Sequence, residues 1–218
     1  MATYLNGIDV SRWQGANINW DLVKSDGYSF VFIKTTDGSS YKEQFIDIGR
    51  KHANGAKGAG LKIGYYHFAH PTNLGGLEED ASAEANYFVS TINKNFPKPN
   101  FPLVLDYEDE KINITSEESQ KWINTFYKIV KDAGYELIIY TYKSYIDKNL
   151  PKTHDCGRLP LWIASYPKTF DFEKLPPLPI GWNSIPVWQY SAKGQVKGIE
   201  STSTDLNVMT KDFFDKYM

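Results

Sequence analysis

The 218-residue chain carries 24 Lys plus Arg against 26 Asp plus Glu, and a formal net charge of −2 excludes a nucleic-acid binder that works by broad phosphate neutralisation. A single cysteine, Cys156, excludes an intramolecular disulfide and a cysteine-based metal site. Aromatic residues make up 15% of the chain, with 15 Tyr and 6 Trp, more than a core of this size needs; some rings are expected at the surface, where flat apolar faces suit sugars.

The N-terminal Met1-Ala-Thr-Tyr-Leu-Asn-Gly has no basic region followed by a long apolar stretch, so no secretory signal is read there. Residues 5–11 and 28–36 read as buried strands, and between them Asn19 caps a short helix through Lys24 that stops at Gly27. Gly55-Ala-Lys-Gly-Ala-Gly60 lacks the spacing of a phosphate loop and reads as a turn ending a helix before a third strand at 62–69. Leu77, Ala81, Ala85, Phe88 and Ile92 then share one face of a helix, with Glu78, Glu79, Glu84 and Lys94 elsewhere. A fourth strand at 102–108 precedes a Thr115/Glu118 capping box, a helix carrying Trp122, Phe126, Ile129 and Val130, a stop at Gly134 and a fifth strand at 137–141.

Beyond residue 150 the rhythm loosens. Residues 159–165 and 185–191 read as strands, but the link holding Pro167, Pro176, Pro177 and Pro179 has no helical pattern. So many strand–helix–strand units imply a parallel sheet with right-handed crossovers, closed as an α/β, irregular TIM-like barrel with a helix-poor C-terminal half. One domain over 1–218 is expected, and no apolar run approaches the roughly 20 residues of a membrane span.

The segment Leu103-Val-Leu-Asp-Tyr-Glu-Asp-Glu110 is the most chemical part of the chain. On a strand, Asp106 and Glu108 project from the same face about 6.5 to 7 Å apart, close enough for one charge to keep the other carboxyl protonated. Paired carboxyls of that kind are the raw material of a glycosidase. A parallel barrel places its site at the C-terminal strand ends, where Asp9 and Asp205 are also expected, with Asp37 a possible fifth acid.

Rival chemistries have less support. There is no Asp-x-Asp-x-Asp-Gly loop, and His52, His67, His70 and His154 form no His-x-x-x-His pair, so no metal and no cofactor are expected. His67 reads as a hydrogen-bonded residue of the barrel wall rather than a proton carrier. Cys156 sits in a polar loop with no implied base, and no Gly-x-Ser-x-Gly elbow occurs.

Taken together, Gly7-Ile-Asp-Val-Ser11 with Trp13, Phe32-Ile-Lys-Thr-Thr-Asp-Gly38, Gly64-Tyr-Tyr-His-Phe68, Leu105-Asp-Tyr-Glu108, Leu161-Trp-Ile-Ala164, Val187-Trp-Gln-Tyr190 and Asp205-Leu-Asn207 resemble the lysozymes of glycoside hydrolase family 25, nearly end to end and in the family's order. Asp37 is a departure, standing where the family usually carries Glu. The resemblance implies a barrel of β5α3 type and a muramidase that cleaves the β-1,4 bond between N-acetylmuramic acid and N-acetylglucosamine in bacterial peptidoglycan, of phage endolysin or bacterial autolysin type. Many such enzymes append wall-binding repeats; none follows Met218 here, so a minimal enzyme or an excised domain is expected.

On this reading Glu108 is the general acid and Asp106 supplies the charge that raises it and holds the substrate's acetamido group. Asp9 and Asp205 line the opposite side, stabilise oxocarbenium charge and orient water. Tyr66, Tyr140, Trp162 and Trp188 are the rings expected along the groove, with Lys34 meeting a carboxylate of the site or of the glycan. A monomer is expected that contacts peptidoglycan, with no nucleic acid and no membrane insertion. It accumulates in the cytoplasm for holin-type release, or is extracellular if processed. The alternatives are a chitinase-like glycosidase, for which Leu103 and Phe101-Pro102 offer none of the required upstream acids, and a catalytically inactive cell-wall-binding protein, against which the retained acids argue.

Overall fold

A computed structural model describes residues 3–218; Met1 and Ala2, which begin the segment read as lacking a secretory signal, lie outside the described residues. Among the described residues eight strands close into one barrel in sequence order: β1 (Tyr4–Val10), β2 (Phe30–Asp37), β3 (Lys62–Phe68), β4 (Leu103–Asp106), β5 (Leu137–Thr141), β6 (Leu161–Ala164), β7 (Val187–Gly194) and β8 (Thr204–Thr210). Strands β1 to β7 run parallel, and β8 runs antiparallel to both β7 and β1. The crossovers carry α1 (Trp20–Ser25), α2 (Glu43–Gly58), α3 (Leu77–Asn95), α4 (Ser116–Asp132) and α5 (Lys143–Asn149), and α6 (Lys211–Asp215) follows β8. Three of these helices are long, at 16, 19 and 17 residues, and the link from β6 to β7 has no α-helix, as its proline content predicts.

Strand alternation divides the apolar residues into two cores. Outward-facing Val31, Ile33, Tyr65, Leu105 and Ile139 meet the apolar stripes of α2, α3 and α4. Inward-facing Phe30, Phe32, Val104, Ile138, Trp162, Val187 and Met209 fill the lumen, so the barrel is a packed core and not a pore. Gly7 and Gly64 make that filling possible: a Cβ at either position would fall within the van der Waals envelope of the Phe30 or the Phe32 ring. The far end of the lumen is closed by Phe101 with Phe214 of α6 and Tyr217 just after it, their rings 5.7 and 6.4 Å from that of Phe101. Thr210 caps α6 by accepting from Phe213 N–H, a signal the sequence reading did not use.

His67 sits in the outer layer. Fully buried between the rings of Phe88 and Phe126, it lies 2.9 Å from Thr36 Oγ1 and 2.8 Å from Glu84 Oε2 of α3. It ties β2 and β3 to a helix and faces away from the lumen mouth.

Candidate active site

The barrel brings four acids to one mouth by two routes. Asp9 lies near the end of β1, Asp106 closes β4, and Glu108 follows two residues later. Strand β4 stops at Asp106, short of the expected 108, where its partner β3 ends at Phe68 and its register with β5 ends at Tyr140; Tyr107 N–H makes a last bond to Tyr140 O. Alternation still persists, so Tyr107 turns outward against Trp122 and Tyr145 while Glu108 turns inward. Asp205 arrives at the start of its strand, because β8 is antiparallel and its N-terminal end meets the C-terminal ends of the others. Register places Asp205 directly opposite Asp9. The four carboxyls share a cavity of about 190 Å³ with Tyr66, Tyr140, Trp162, Tyr166 and Gln189.

Asp9 is anchored by two amides. Gln189 Nε2 and Asn207 Nδ2 both donate to Asp9 Oδ2 at 2.8 Å. Three rings fix those amides in turn: the hydroxyls of Tyr140 and Tyr166 donate to Gln189 Oε1 at 2.9 and 2.6 Å, and Trp162 Nε1–H donates to Asn207 Oδ1 at 2.8 Å. Asp106 has the opposite environment, since its buried Oδ1 has no hydrogen-bond partner.

These environments separate the four titrations. Burial raises Asp9 to about 6, with the Asn207 and Gln189 donors holding it back. Burial, then the charge of Asp9, raises Glu108 to about 7 against the pull of Lys34. Burial, then Asp9 and Glu108, raises Asp205 to about 8. Burial and Glu108 push Asp106 well above the carboxylate range. Burial thus biases all four carboxyls toward the protonated form, and Asp9 is the one whose charge two amide donors favour. After burial, Asp9 is the charge that raises Glu108, whereas Glu108 raises the donor-poor Asp106.

Lys34 meets a carboxylate, and it is Asp37. Residues three apart on a strand face opposite ways, but a bulge between Lys34 and Thr36 adds a residue to β2 and returns Asp37 to the side of Lys34, where they pair at 2.6 Å. Burial of Asp37 is outweighed by His70 and Lys34, which hold its carboxyl well below the usual range. His70 lies 2.7 Å from Asp37 and 2.8 Å from Asp109, the residue after Glu108, and is raised to about 9 by the Asp37 bond against burial, with Asp109 adding. A charged chain thus runs along the rim from Lys34 to the loop that carries Glu108.

Of the expected rings, Tyr66, Tyr140 and Trp162 line the cavity. Trp188 does not. Trp162 faces inward and is registered with Val187, so strand parity turns Gln189 into the lumen and Trp188 out of it, where its Nε1–H donates to Ser165 O and its ring packs on Phe170. Gln189, Asn207 and Tyr166 were missed by the sequence reading. Parity alone could have found Asn207, two residues from Asp205, whereas Gln189 needed the pairing of β7 with β6. Replacing Gln189 with Leu removes a donor from Asp9 and an acceptor from two tyrosines. The expected result is a loss of about tenfold or more in kcat, with the acidic limb of the pH profile moved upward, read from rates between pH 4 and 8.

An α/β barrel whose mouth gathers four carboxyls in one cavity has the architecture of a glycoside hydrolase. The chain belongs to the glycosyl hydrolases family 25, whose family model matches residues 8–199. It is 33% identical to lysozyme M1 of Streptomyces globisporus over 89% of this chain and 64% of that protein, and 32% identical to the lysozyme of Streptococcus phage Cp-7 over 88% of this chain and 52% of that one. The chain thus spans about half to two thirds of the length of these curated relatives. The crystal structure of the bacterial lysozyme from Streptomyces coelicolor superposes with a TM-score of 0.77 at 33% identity, over 93% of this chain and 90% of that one.

Proposed function

We propose that the chain, as a single catalytic domain over 1–218, is a muramidase that hydrolyses the β-1,4 bond between N-acetylmuramic acid and N-acetylglucosamine in bacterial peptidoglycan. The observation that carries this reading is the convergence of Glu108, Asp106, Asp9 and Asp205 on one cavity, where two amides donate to Asp9 and burial, then Asp9, raises Glu108 to about 7. Glu108 donates its proton to the glycosidic oxygen as the bond to the anomeric carbon breaks. Asp9 is the charge that the developing oxocarbenium meets. Asp106 offers an unpartnered buried oxygen to the acetamido N–H, which turns the acetamido carbonyl toward the anomeric carbon, and Asp205 faces Asp9 where water enters.

Mass spectrometry of fragments from one defined peptidoglycan tests this. N-acetylmuramic acid at the new reducing ends is the expected result. N-acetylglucosamine at those ends overturns the bond assignment, release from purified chitin but not from peptidoglycan favours the chitinase-like reading, and binding without new reducing ends favours an inactive wall-binding protein.

A further inference from the structure

Of the three arginines in the chain, Arg50 and Arg158 pair with Asp47 and Asp155 at 2.7 and 2.6 Å, whereas Arg12 meets no carboxylate among the described residues. Its guanidinium is held between rings instead, with Cζ 4.5 Å from the Trp13 centroid and 4.6 Å from that of Phe45. One weak contact, Nη1 to the Tyr41 hydroxyl at 3.4 Å, leaves most of its five donors free. Trp13 is 75% exposed, which is unusual for so large an apolar ring.

The turn that carries the pair is rigid. Ser11 accepts from Trp13 N–H at 3.3 Å, Gln14 Oε1 accepts from Ser11 N–H at 2.8 Å, and Gln14 Nε2 donates to Ser203 O at 3.2 Å. It also follows directly from the strand that carries Asp9 into the acid cavity. Arg12 lies three residues beyond Asp9, and its partner Tyr41 lies 5.9 Å, centroid to Nζ, from Lys34. Lys42, 5.8 Å from the Phe45 centroid, adds a second cation with no carboxylate partner among the described residues. A preorganised, unpaired guanidinium beside an open ring face fits a sugar that carries an anion, and the acid cavity next to it repels one.

We propose that Arg12 and Trp13 form a binding shelf outside the cleavage cavity for a carboxylate-bearing substituent of the glycan, the sugar face resting on Trp13 and the carboxylate on the Arg12 fork. This rests on the peptidoglycan reading above and assigns it a specificity element. Two sources share the chemistry: the lactyl carboxylate of muramic acid and the carboxylates of the peptide stem.

The test uses soluble glycan strands in four forms: bearing peptide stems, stripped of them by an amidase, and each of these with its carboxyls converted to methylamides. For the wild type, capping the carboxyls is expected to raise KM about tenfold with kcat within about twofold. Arg12→Gln raises KM by the same factor on the carboxylate strands and becomes indifferent to capping, while Trp13→Ala raises KM on every form. If the effect of Arg12→Gln is larger on stripped strands the lactyl group is the ligand; if larger on stemmed strands, the stem is. An Arg12→Gln enzyme with wild-type KM, or one that still discriminates capped strands, overturns the shelf. A change confined to Tm would mark the stack as structural only and overturn the shelf as well. Should the wild type release no reducing ends from any strand, the hydrolysis reading fails, and Kd for the strands by calorimetry, with and without Arg12→Gln, still decides the shelf.

Discussion

Glu108→Gln is expected to lower kcat by about a thousandfold with KM little changed, because the amide keeps the shape of the side chain and loses the proton given to the leaving oxygen. The wild-type profile should be bell-shaped, falling below about 6 as Asp9 takes up a proton and above about 7 as Glu108 loses its own. In the variant the residual rate loses the alkaline limb. Stability moves the opposite way. A carboxyl raised by burial holds its proton more tightly folded than unfolded, so its contribution to stability is fullest below the unfolded value near 4.5 and is lost as pH rises through about 7. Glu108→Gln removes that loss, and at pH 8 its Tm is expected to exceed the wild-type value by a few degrees, about 2–4 °C for each kcal/mol relieved. Thermal melts at pH 4 and pH 8 beside initial rates check both signs. A folded variant with near-normal lysis would refute the acid assignment.

Gly64→Ala is expected to destabilise the barrel by about 3 kcal/mol, lowering Tm by roughly 6–12 °C. The added methyl enters the space of the Phe32 ring, and that ring has nowhere to go. It stacks on Trp162 at 4.6 Å and packs against Phe30 and Phe101 at 5.8 and 5.6 Å. Displacement passes from Phe32 to Trp162, whose indole holds Asn207, which holds Asp9. Activity should therefore fall even in the fraction that remains folded, with the acidic limb shifted. Adding Phe32→Leu makes room for the methyl, and the double variant should regain stability relative to Gly64→Ala alone. Additive losses in that cycle would show that the two sites do not meet.

The role of Glu108 is visible in the sequence and that of Gly64 is not. Asp106 and Glu108 announce themselves because strand parity is a local property, legible from residues two apart, and the alternation of apolar strands with capped helices is equally local. The Thr115/Glu118 box and the Gly134 turn fall where the sequence places them. The expected placement of Trp188 in the groove fails because β7 has aromatic residues on both sides of Gln189, and only pairing with β6 fixes its parity. The reversal of β8 and the eight-strand count depend on contacts between distant segments, whereas the short helix α6 has a local signal in its Thr210 cap.

What the residues by themselves determined is the inventory: which carboxyls exist, their spacing along each strand, and a barrel of strands and helices to carry them. Only the folded chain decided which dipoles each carboxyl meets. Two amides from β7 and β8, nearly two hundred residues from Asp9 in the chain, stabilise its charge, while Asp106 is buried without a donor. A carboxyl's affinity for its proton depends on the solvent and dipoles removed or supplied around it, and those are set by through-space neighbours that sequence separation does not reveal.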